Sequence, residues 1–265
     1  MAYAQLGTAL ITGASSGIGA LYADRLARRG YDLVLVARNR ERLNDLANRL
    51  TSETQRNIEV FPADLAQARD LARVEGKLRE DASLSLLVNN AGLGTHTPLL
   101  QSDVERMTTM IGVNVTALTR LTYAAVPGFV ARGQGGIINI SSIVSLAPEL
   151  LNGVYGASKA YVTAFTQSLS KELAAQGIKV QAVLPGATAT DFWATGGLPL
   201  ENLDPSIVMA APDLVDAALQ DFDAGTLISI PSMHDLGHFQ RFEASRQAMF
   251  DHLSNHRLAP RYNAA

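Results

Sequence analysis

The chain has 265 residues, of which 47% are hydrophobic and 18% charged, and it contains no cysteine. This composition excludes an intrinsically disordered chain, and the lack of cysteine excludes disulfides, iron–sulfur clusters, thiolate zinc sites and thiol nucleophiles. The formal net charge is −3, so neither a nucleic-acid backbone nor an anionic membrane is expected as a partner.

Residues 1–23 form the longest stretch without Asp, Glu, Lys or Arg, which makes them the first candidate for a targeting segment. No positively charged region precedes the apolar residues, and glycines and hydroxyl residues interrupt them between Gly7 and Gly19. Signal peptides and membrane spans need a longer unbroken apolar run. We therefore predict a soluble cytoplasmic protein.

Short apolar runs alternate with longer amphipathic segments along the chain. The runs, typical of strands buried on both faces, are 8–12, 32–37, 57–63, 84–88, 136–142, 178–184 and 226–230. The helical segments lie near 18–30, 39–53, 67–81, 102–132, 153–176 and 212–223. This alternation predicts an α/β fold over residues 1–265: a single doubly wound domain with a parallel sheet of about seven strands and helices on both faces.

Two segments stand outside this alternation. The long region 187–211 follows the carboxyl end of the sixth strand, where ligands bind in such sheets, and its Gly196-Gly197 pair is a candidate hinge. We predict that it is a mobile lid. Residues 236–253 are predicted to form an amphipathic helix that docks on the body or on a second subunit; the alternative is a frayed terminal tail. Its apolar stripe consists of Phe239, Phe242, Met249, Phe250 and Leu253.

A glycine-rich turn, Gly13-Ala-Ser-Ser-Gly17-Ile-Gly19, joins the first strand to the first helix. Glycine allows a tight turn and lets backbone N–H groups approach a pyrophosphate, while the helix N-terminus adds its positive dipole end. The position between strand and helix indicates a dinucleotide site of the Rossmann type. The alternative is an ordinary strand–helix turn.

The second strand ends at Ala37-Arg38, where a cofactor with a free 2′-hydroxyl is usually held by Asp or Glu. A guanidinium there can bind a 2′-phosphate through two charge-assisted hydrogen bonds, and a missing carboxylate removes repulsion. Arg38 therefore indicates NADP(H), unless it is only a solvated residue at the start of a helix.

Tyr155 and Lys159 have the i, i+4 spacing that places two side chains on one face of a helix. A neighbouring ammonium stabilises a phenolate and lowers the tyrosine pKa, so the pair predicts acid–base chemistry. Such a pair also occurs by chance. Ser142, at the end of the strand 13 residues before Tyr155, adds a hydroxyl that can bond a carbonyl oxygen; Ser141 beside it is set aside because the interval selects Ser142.

These motifs, in order and spacing over residues 6 to about 230, resemble those of the short-chain dehydrogenase/reductase family. The resemblance implies a catalytic tetrad of Asn114, Ser142, Tyr155 and Lys159. The cofactor-binding residues that it implies, together with the analysis above, are Gly13, Ser15, Ser16, Gly17, Ile18, Gly19, Arg38, Asp64, Leu65, Asn90, Ala91, Gly92, Tyr155, Lys159, Pro185, Gly186, Thr188 and Thr190.

The resemblance implies a role for each member of the tetrad. Tyr155 donates a proton to a carbonyl oxygen during reduction or removes it during oxidation, Ser142 polarises that oxygen, and Lys159 lowers the Tyr155 pKa and bonds the nicotinamide ribose. Asn114 holds a water that leads from Lys159 to solvent, unless it is simply a satisfied interior residue. A homodimer or homotetramer built on the helices near 102–132 and 153–176 is also implied.

The expected activity is NADP(H)-dependent interconversion of a carbonyl and an alcohol by hydride transfer. The expected substrate pocket is apolar, and residues 186–211 contain no Arg or Lys that could anchor a carboxylate. A medium-sized apolar ketone, aldehyde or alcohol is therefore favoured over a small acid. The pocket residues are Leu93, Leu146, Leu151, Phe192 and Trp193, although the last two could equally anchor the loop to the body.

Two other functions are considered. A non-catalytic NADP(H)-sensing regulatory protein is disfavoured because a sensor need not keep Tyr155 and Lys159, and a sugar-nucleotide epimerase normally adds a large C-terminal substrate domain. No metal is expected. The two histidine pairs at i, i+4 spacing, His234/His238 and His252/His256, have no obvious third ligand.

Overall fold

The computed structural model describes residues 6–262, and within them seven strands form one parallel sheet in the order β3-β2-β1-β4-β5-β6-β7. This confirms the predicted fold class. The strands are β1 (Thr8–Thr12), β2 (Asp32–Ala37), β3 (Ile58–Pro62), β4 (Leu84–Asn89), β5 (Gly135–Ile140), β6 (Ile178–Val183) and β7 (Ile228–Ser229).

Residues 6–262 contain nine α-helices. They are α1 (Gly17–Arg29), α2 (Arg40–Thr54), α3 (Ala68–Glu80), α4 (Val104–Ile111), α5 (Leu118–Arg132), α6 (Gly153–Leu173), α7 (Phe192–Thr195), α8 (Ala211–Asp223) and α9 (Gly237–Ala248). Alternate strand residues feed two cores, because successive side chains point to opposite faces. Ile11 packs with α1, α2 and α8 in one core, whereas Leu10 packs with α3, α5 and α6 in the other.

The strand order reverses between β1 and β4, since β1 pairs with β2 on one side and with β4 on the other. A crevice opens at the carboxyl ends of the strands where a doubly wound sheet reverses, and ligands bind there. The glycine-rich turn after β1 and the loop after β4 lie at this crevice. The topology alone therefore places the site.

The predicted helix 102–132 is interrupted by a π-helical segment, Gly112–Ala117, between α4 and α5. Such segments insert an extra residue into a helical turn and occur often at functional sites. Here the segment contains Asn114, whose side chain is buried.

The predicted lid, 187–211, contains regular structure. It carries α7 and two short 3₁₀ turns, Leu200–Asn202 and Pro205–Ile207. A parallel bridge between Thr188 and Met209 closes its base, and the Ala189 N–H donates to the Met209 carbonyl at 2.9 Å. The two ends of the lid are thus tied together.

The chain divides into two compact units, one extending to Ser232 and the other beginning at Met233. The second unit contains α9 and a 3₁₀ turn, Phe250–His252, and no side chain of either element is buried. Arg246, which interrupts the predicted apolar stripe, pairs with Glu243 at 2.7 Å. None of the helices in the described part of the chain combines the length and apolarity that crossing a membrane requires.

We predict that deleting residues 236–265 lowers the melting temperature by several degrees and changes the oligomeric state. Phe242, Met249 and Phe250 are each about half exposed, so each would gain stability by docking on the body or on a second subunit. Full burial of such a side chain is worth about 1.5–3 kcal/mol, and deletion of the tail removes this contribution. Calorimetry and size-exclusion chromatography of the truncated and full-length chains test this. Unchanged melting temperature, elution volume and activity would show that the tail is dispensable.

Candidate active site

A cleft of about 1210 Å³ runs along the carboxyl ends of the strands. The glycine-rich turn and the ends of β2 and β3 line one end, and the loops after β4, β5 and β6 line the other. Most predicted cofactor-binding residues line it: Gly13, Ser15, Ser16, Gly17, Ile18, Arg38, Asp64, Leu65, Asn90, Ala91, Gly92, Tyr155, Lys159, Pro185, Gly186, Thr188 and Thr190. The cleft is therefore long and continuous enough for a dinucleotide.

Gly19 is the exception among the predicted cofactor residues, because it does not line the cleft. A Cβ on Gly19 would overlap the Gly13 carbonyl oxygen and the Asn90 side-chain amide. Gly19 therefore has a structural role, because the absence of a side chain lets α1 pack closely under the turn. Gly13 has a left-handed backbone with φ +67°, and Asn90 Nδ2 donates to the Gly13 carbonyl oxygen at 3.2 Å, which holds the turn open.

Arg38 is exposed at the end of the cleft beside the start of α2. Asn39 caps α2 by accepting from the Arg42 N–H at 3.0 Å. Arg42, which the sequence analysis did not single out, lines the same end and pairs with Asp191 of the lid at 3.6 Å. The sequence could have indicated Arg42 as a second candidate for binding the phosphate, because it lies only four residues after Arg38. Two guanidinium groups thus make this end suited to a phosphate.

Tyr155 and Lys159 lie in the first two turns of α6 and face the cleft with Ser142. All three side chains are buried. Lys159 Nζ lies 5.9 Å from the centre of the Tyr155 ring and donates to the Ile140 carbonyl oxygen at 2.9 Å. The helical spacing therefore places the pair together, as the sequence predicts.

Burial dominates the titration of this pair. It raises the pKa of Tyr155 to about 12, partly opposed by a hydrogen bond with Ser142, and it lowers the pKa of Lys159 to about 8. The expected lowering of the Tyr155 pKa by Lys159 does not appear in this arrangement, in which burial is the largest cause of the shift. At neutral pH the phenol is therefore protonated and able to act as an acid.

Ser141 and Ser142 directly follow β5. Their hydroxyl groups have different partners. The Ser141 hydroxyl bonds the Lys159 carbonyl and the Thr163 hydroxyl, both at 2.8 Å. The Ser142 hydroxyl bonds Tyr155 and makes two longer contacts of 3.4 Å, to the Pro185 carbonyl and the Val144 N–H. Ser142 is thus the serine whose hydroxyl faces the phenol, whereas Ser141 is bonded to α6.

Asn114 does not line the cleft. Its amide accepts from the Leu93 N–H at 2.8 Å, donates to the Leu93 carbonyl at 2.9 Å and donates to the Ser158 hydroxyl at 3.0 Å. A Cβ on Gly92 would lie 3.3 Å from Asn114 Oδ1 and 3.4 Å from Lys159 Nζ. Asn114 thus ties the loop after β4 to α6 next to the lysine; its water-holding role stays a prediction.

Asn152 is a positioning residue that the sequence analysis missed. Its Oδ1 caps α6 by accepting from the Val154 and Tyr155 N–H groups, and its Nδ2 donates to the Thr97 carbonyl at 2.6 Å. An asparagine three residues before Tyr155 is the available N-cap signal. One buried side chain therefore fixes both the start of α6 and the neighbouring loop.

The far end of the cleft is mostly apolar, although Glu105 and Arg106 of α4 also line the cleft. Leu93, Leu151, Phe192 and Trp193 line it as predicted, but Leu146 does not. The chain turns into a 3₁₀ helix at Ile143–Ser145, which directs position 144 rather than 146 toward the site. Residues that line it and were missed include Val144, Met107 and Met110, the last two from an amphipathic turn of α4.

Metal ligation finds no support in the part of the chain described, 6–262, which contains no group of three His, Asp or Glu side chains placed to hold an ion. His238 approaches Asp235 at 3.6 Å.

Several known proteins are similar to this chain in sequence and fold. A family profile described as short chain dehydrogenase matches residues 7–197. A short-chain dehydrogenase from Sphingobium yanoikuyae in complex with NADPH is 46% identical, with a TM-score of 0.93 over 97% of this chain and 100% of that chain. A bulky-bulky ketone specific alcohol dehydrogenase from Comamonas testosteroni is 45% identical, with a TM-score of 0.89 over 98% of this chain and 99% of that chain.

A curated relative is also similar to this chain in sequence. An uncharacterized oxidoreductase from Staphylococcus epidermidis is 34% identical over 209 residues, which cover 76% of this chain and 89% of the relative. The profile match extends over more than two thirds of the chain and contains the glycine-rich turn, Ser142, Tyr155 and Lys159. The protein therefore belongs to the short-chain dehydrogenase/reductase family.

Proposed function

We propose that the protein is an NADP(H)-dependent oxidoreductase that interconverts a carbonyl and a primary or secondary alcohol. The observation that carries this proposal is the convergence of Ser142, Tyr155 and Lys159 on the cleft that also contains the glycine-rich turn and Arg38. The sequence resemblance and the NADPH-containing structure from S. yanoikuyae support the choice of cofactor.

The residues present fit a dinucleotide phosphate. The turn at 13–17 offers backbone N–H groups at the N-terminus of α1, and the cleft continues past Asp64 and Leu65 on one side and to Pro185–Thr190 on the other. Arg38 and Arg42 would hold the 2′-phosphate. When bound, the nicotinamide supplies the hydride chemistry.

The chain's own residues handle the proton and the carbonyl oxygen. Tyr155, protonated at neutral pH, would donate its phenol proton to that oxygen in reduction, and Ser142 would donate a hydrogen bond to it. Lys159, whose Nζ donates to the Ile140 carbonyl, would bond the nicotinamide ribose.

The substrate class follows from the apolar end of the cleft. This end is mostly apolar, with Leu93, Leu151, Val144, Phe192 and Trp193 in its lining, and its charged neighbours are Glu105 and Arg106 of α4. A medium-sized apolar ketone, aldehyde or alcohol therefore fits this lining better than a small acid. The ketone-specific neighbour from C. testosteroni supports this class. No observation favours the alternative of a non-catalytic sensor.

A panel of ketones, aldehydes and alcohols, assayed by NADPH absorbance in both directions, tests the proposal. Aryl-alkyl ketones should be reduced, whereas small 2-oxo acids should be poor substrates. Absence of turnover with every carbonyl and alcohol, despite measurable NADPH binding, would instead favour the sensor.

The lid should gain protection when the cofactor binds. Residues 187–211 are tied at their base by the Thr188–Met209 bridge, while Arg42 reaches Asp191 from the far side of the cleft. We expect amide hydrogen exchange in this region to slow in the presence of NADPH. Equal, high protection with and without NADPH would identify a rigid structural loop.

A further inference from the structure

The lid rests directly on the loop after β4, at a glycine. A Cβ built on Gly94 would lie 2.7 Å from Cε2 and 3.0 Å from Cε1 of Phe192, closer than such atoms can approach. Gly94 does not have a left-handed backbone, so its conformation alone would accept a side chain. The absence of a side chain at position 94 leaves the space that the Phe192 ring occupies, and we call this contact between the ring and Gly94 the seating of the ring.

A second set of contacts fixes the lid against the same loop. His96 Nδ1 and the Gly196 carbonyl oxygen form a hydrogen bond of 3.1 Å, and a Cβ on Gly196 would lie 3.3 Å from the Gly94 carbonyl oxygen. Only about 10 Å³ of free space remains in the cavity between this loop, Tyr155 and the lid. The glycine pair predicted as a hinge therefore lies in a close backbone contact.

The seated ring stands next to the reacting group. Its centre is 5.8 Å from the centre of the Tyr155 ring, and it packs against the buried cluster of Met107, Met110, Val144 and Tyr155. Any carbonyl that receives a proton from Tyr155 must place one substituent beside this ring. The depth at which Phe192 sits therefore limits the size of that substituent.

We propose that Gly94 is a specificity-determining residue, because the absence of a side chain at position 94 sets how far Phe192 descends toward the substrate. This inference rests on the proposed carbonyl-reductase function. A methyl group at position 94 competes with the ring for the same space, so the lid must sit higher and the substrate site becomes wider. Larger substituents are then accepted, and small ones lose their packing.

The test uses four proteins and a homologous series of ketones. Wild type, Gly94→Ala, Phe192→Ala and the double variant are assayed with acetophenone, propiophenone and valerophenone, which differ only in the alkyl arm. Gly76→Ala is the control, since a Cβ there meets only the Glu80 side chain, at 3.9 Å. A lost packing contact in an apolar pocket changes selectivity by about 10-fold or more.

We expect Gly94→Ala to shift the ratio of kcat/KM for valerophenone over acetophenone upward by about 10-fold. In the Phe192→Ala background the same substitution should change this ratio less than about two-fold, because the competing ring is gone. The control should match wild type. An unchanged ratio in Gly94→Ala, or a full effect that persists without Phe192, would overturn the inference. If Gly94→Ala does not fold, Phe192→Ala alone must still shift the ratio upward, and failure to do so would also overturn it.

A second readout does not depend on turnover. Trp193 is the single tryptophan of the chain, and it lies edge-on to Phe192 at 6.0 Å. Acrylamide quenching of its fluorescence should increase in Gly94→Ala, while the double variant should match Phe192→Ala. If no ketone is reduced but quenching changes in this way, the proposed function fails and the seating stands; ketone reduction with unchanged quenching and selectivity would overturn the seating alone.

Discussion

Tyr155→Phe should reduce turnover by about 10²–10⁴-fold, the usual contribution of a general acid or base, and leave NADPH affinity nearly unchanged. Phenylalanine keeps the buried ring that packs beside Phe192 and removes only the proton donor. Turnover is measured by NADPH absorbance with the best ketone from the panel, and affinity is measured by fluorescence titration.

Tyr161→Phe is the matched control, because it removes a hydroxyl from the same helix. The Tyr161 hydroxyl lies 2.7 Å from the Thr119 hydroxyl, outside the cleft, so its loss should leave turnover close to wild type. A Tyr155→Phe variant that retains turnover within a factor of two of wild type would remove Tyr155 from the catalytic assignment.

Arg38→Asp should invert the cofactor preference toward NADH. The substitution replaces a cation at the phosphate end of the cleft with an anion that repels a 2′-phosphate and can accept from a ribose hydroxyl. Losing charge-assisted hydrogen bonds costs about 1.5–3 kcal/mol, or about 10- to 150-fold in NADPH affinity. Fluorescence titration with both reduced cofactors measures the change.

Arg40→Asp supplies the control, since it makes the same change of charge two residues later. Arg40 begins α2 and does not line the cleft, whereas Arg42 does. NADPH affinity should therefore fall much less in this variant, and Arg42 should preserve part of the affinity in Arg38→Asp. If Arg38→Asp binds NADPH as tightly as wild type, Arg38 is only a surface residue.

The architecture and the main site motifs could be predicted from the sequence because they depend on local patterns. Strands covered on both faces are apolar throughout, and the amphipathic helices between them bury one stripe, so the order of elements was readable along the chain. The glycine-rich turn and the Tyr155–Lys159 pair depend on spacings within a single turn and a single helix. These short-range features were sufficient to predict the fold class, the family and the proposed site of proton transfer.

The contacts that decide the chemistry depended on tertiary structure. The spacing placed Lys159 near Tyr155, but burial shifts both pKa values, and a hydrogen bond with Ser142 partly opposes the shift of Tyr155. The 3₁₀ turn placed Val144 in the pocket instead of Leu146.

Pairs that are distant in sequence show the same limit. Asn152 bonds Thr97, and Phe192 sits on Gly94, yet neither pair belongs to one element. Their contacts arise because the loops after β4, β5 and β6 meet at the carboxyl edge of one sheet. No local pattern encodes which side chains face each other across that edge, since this depends on the packing of segments far apart in the chain.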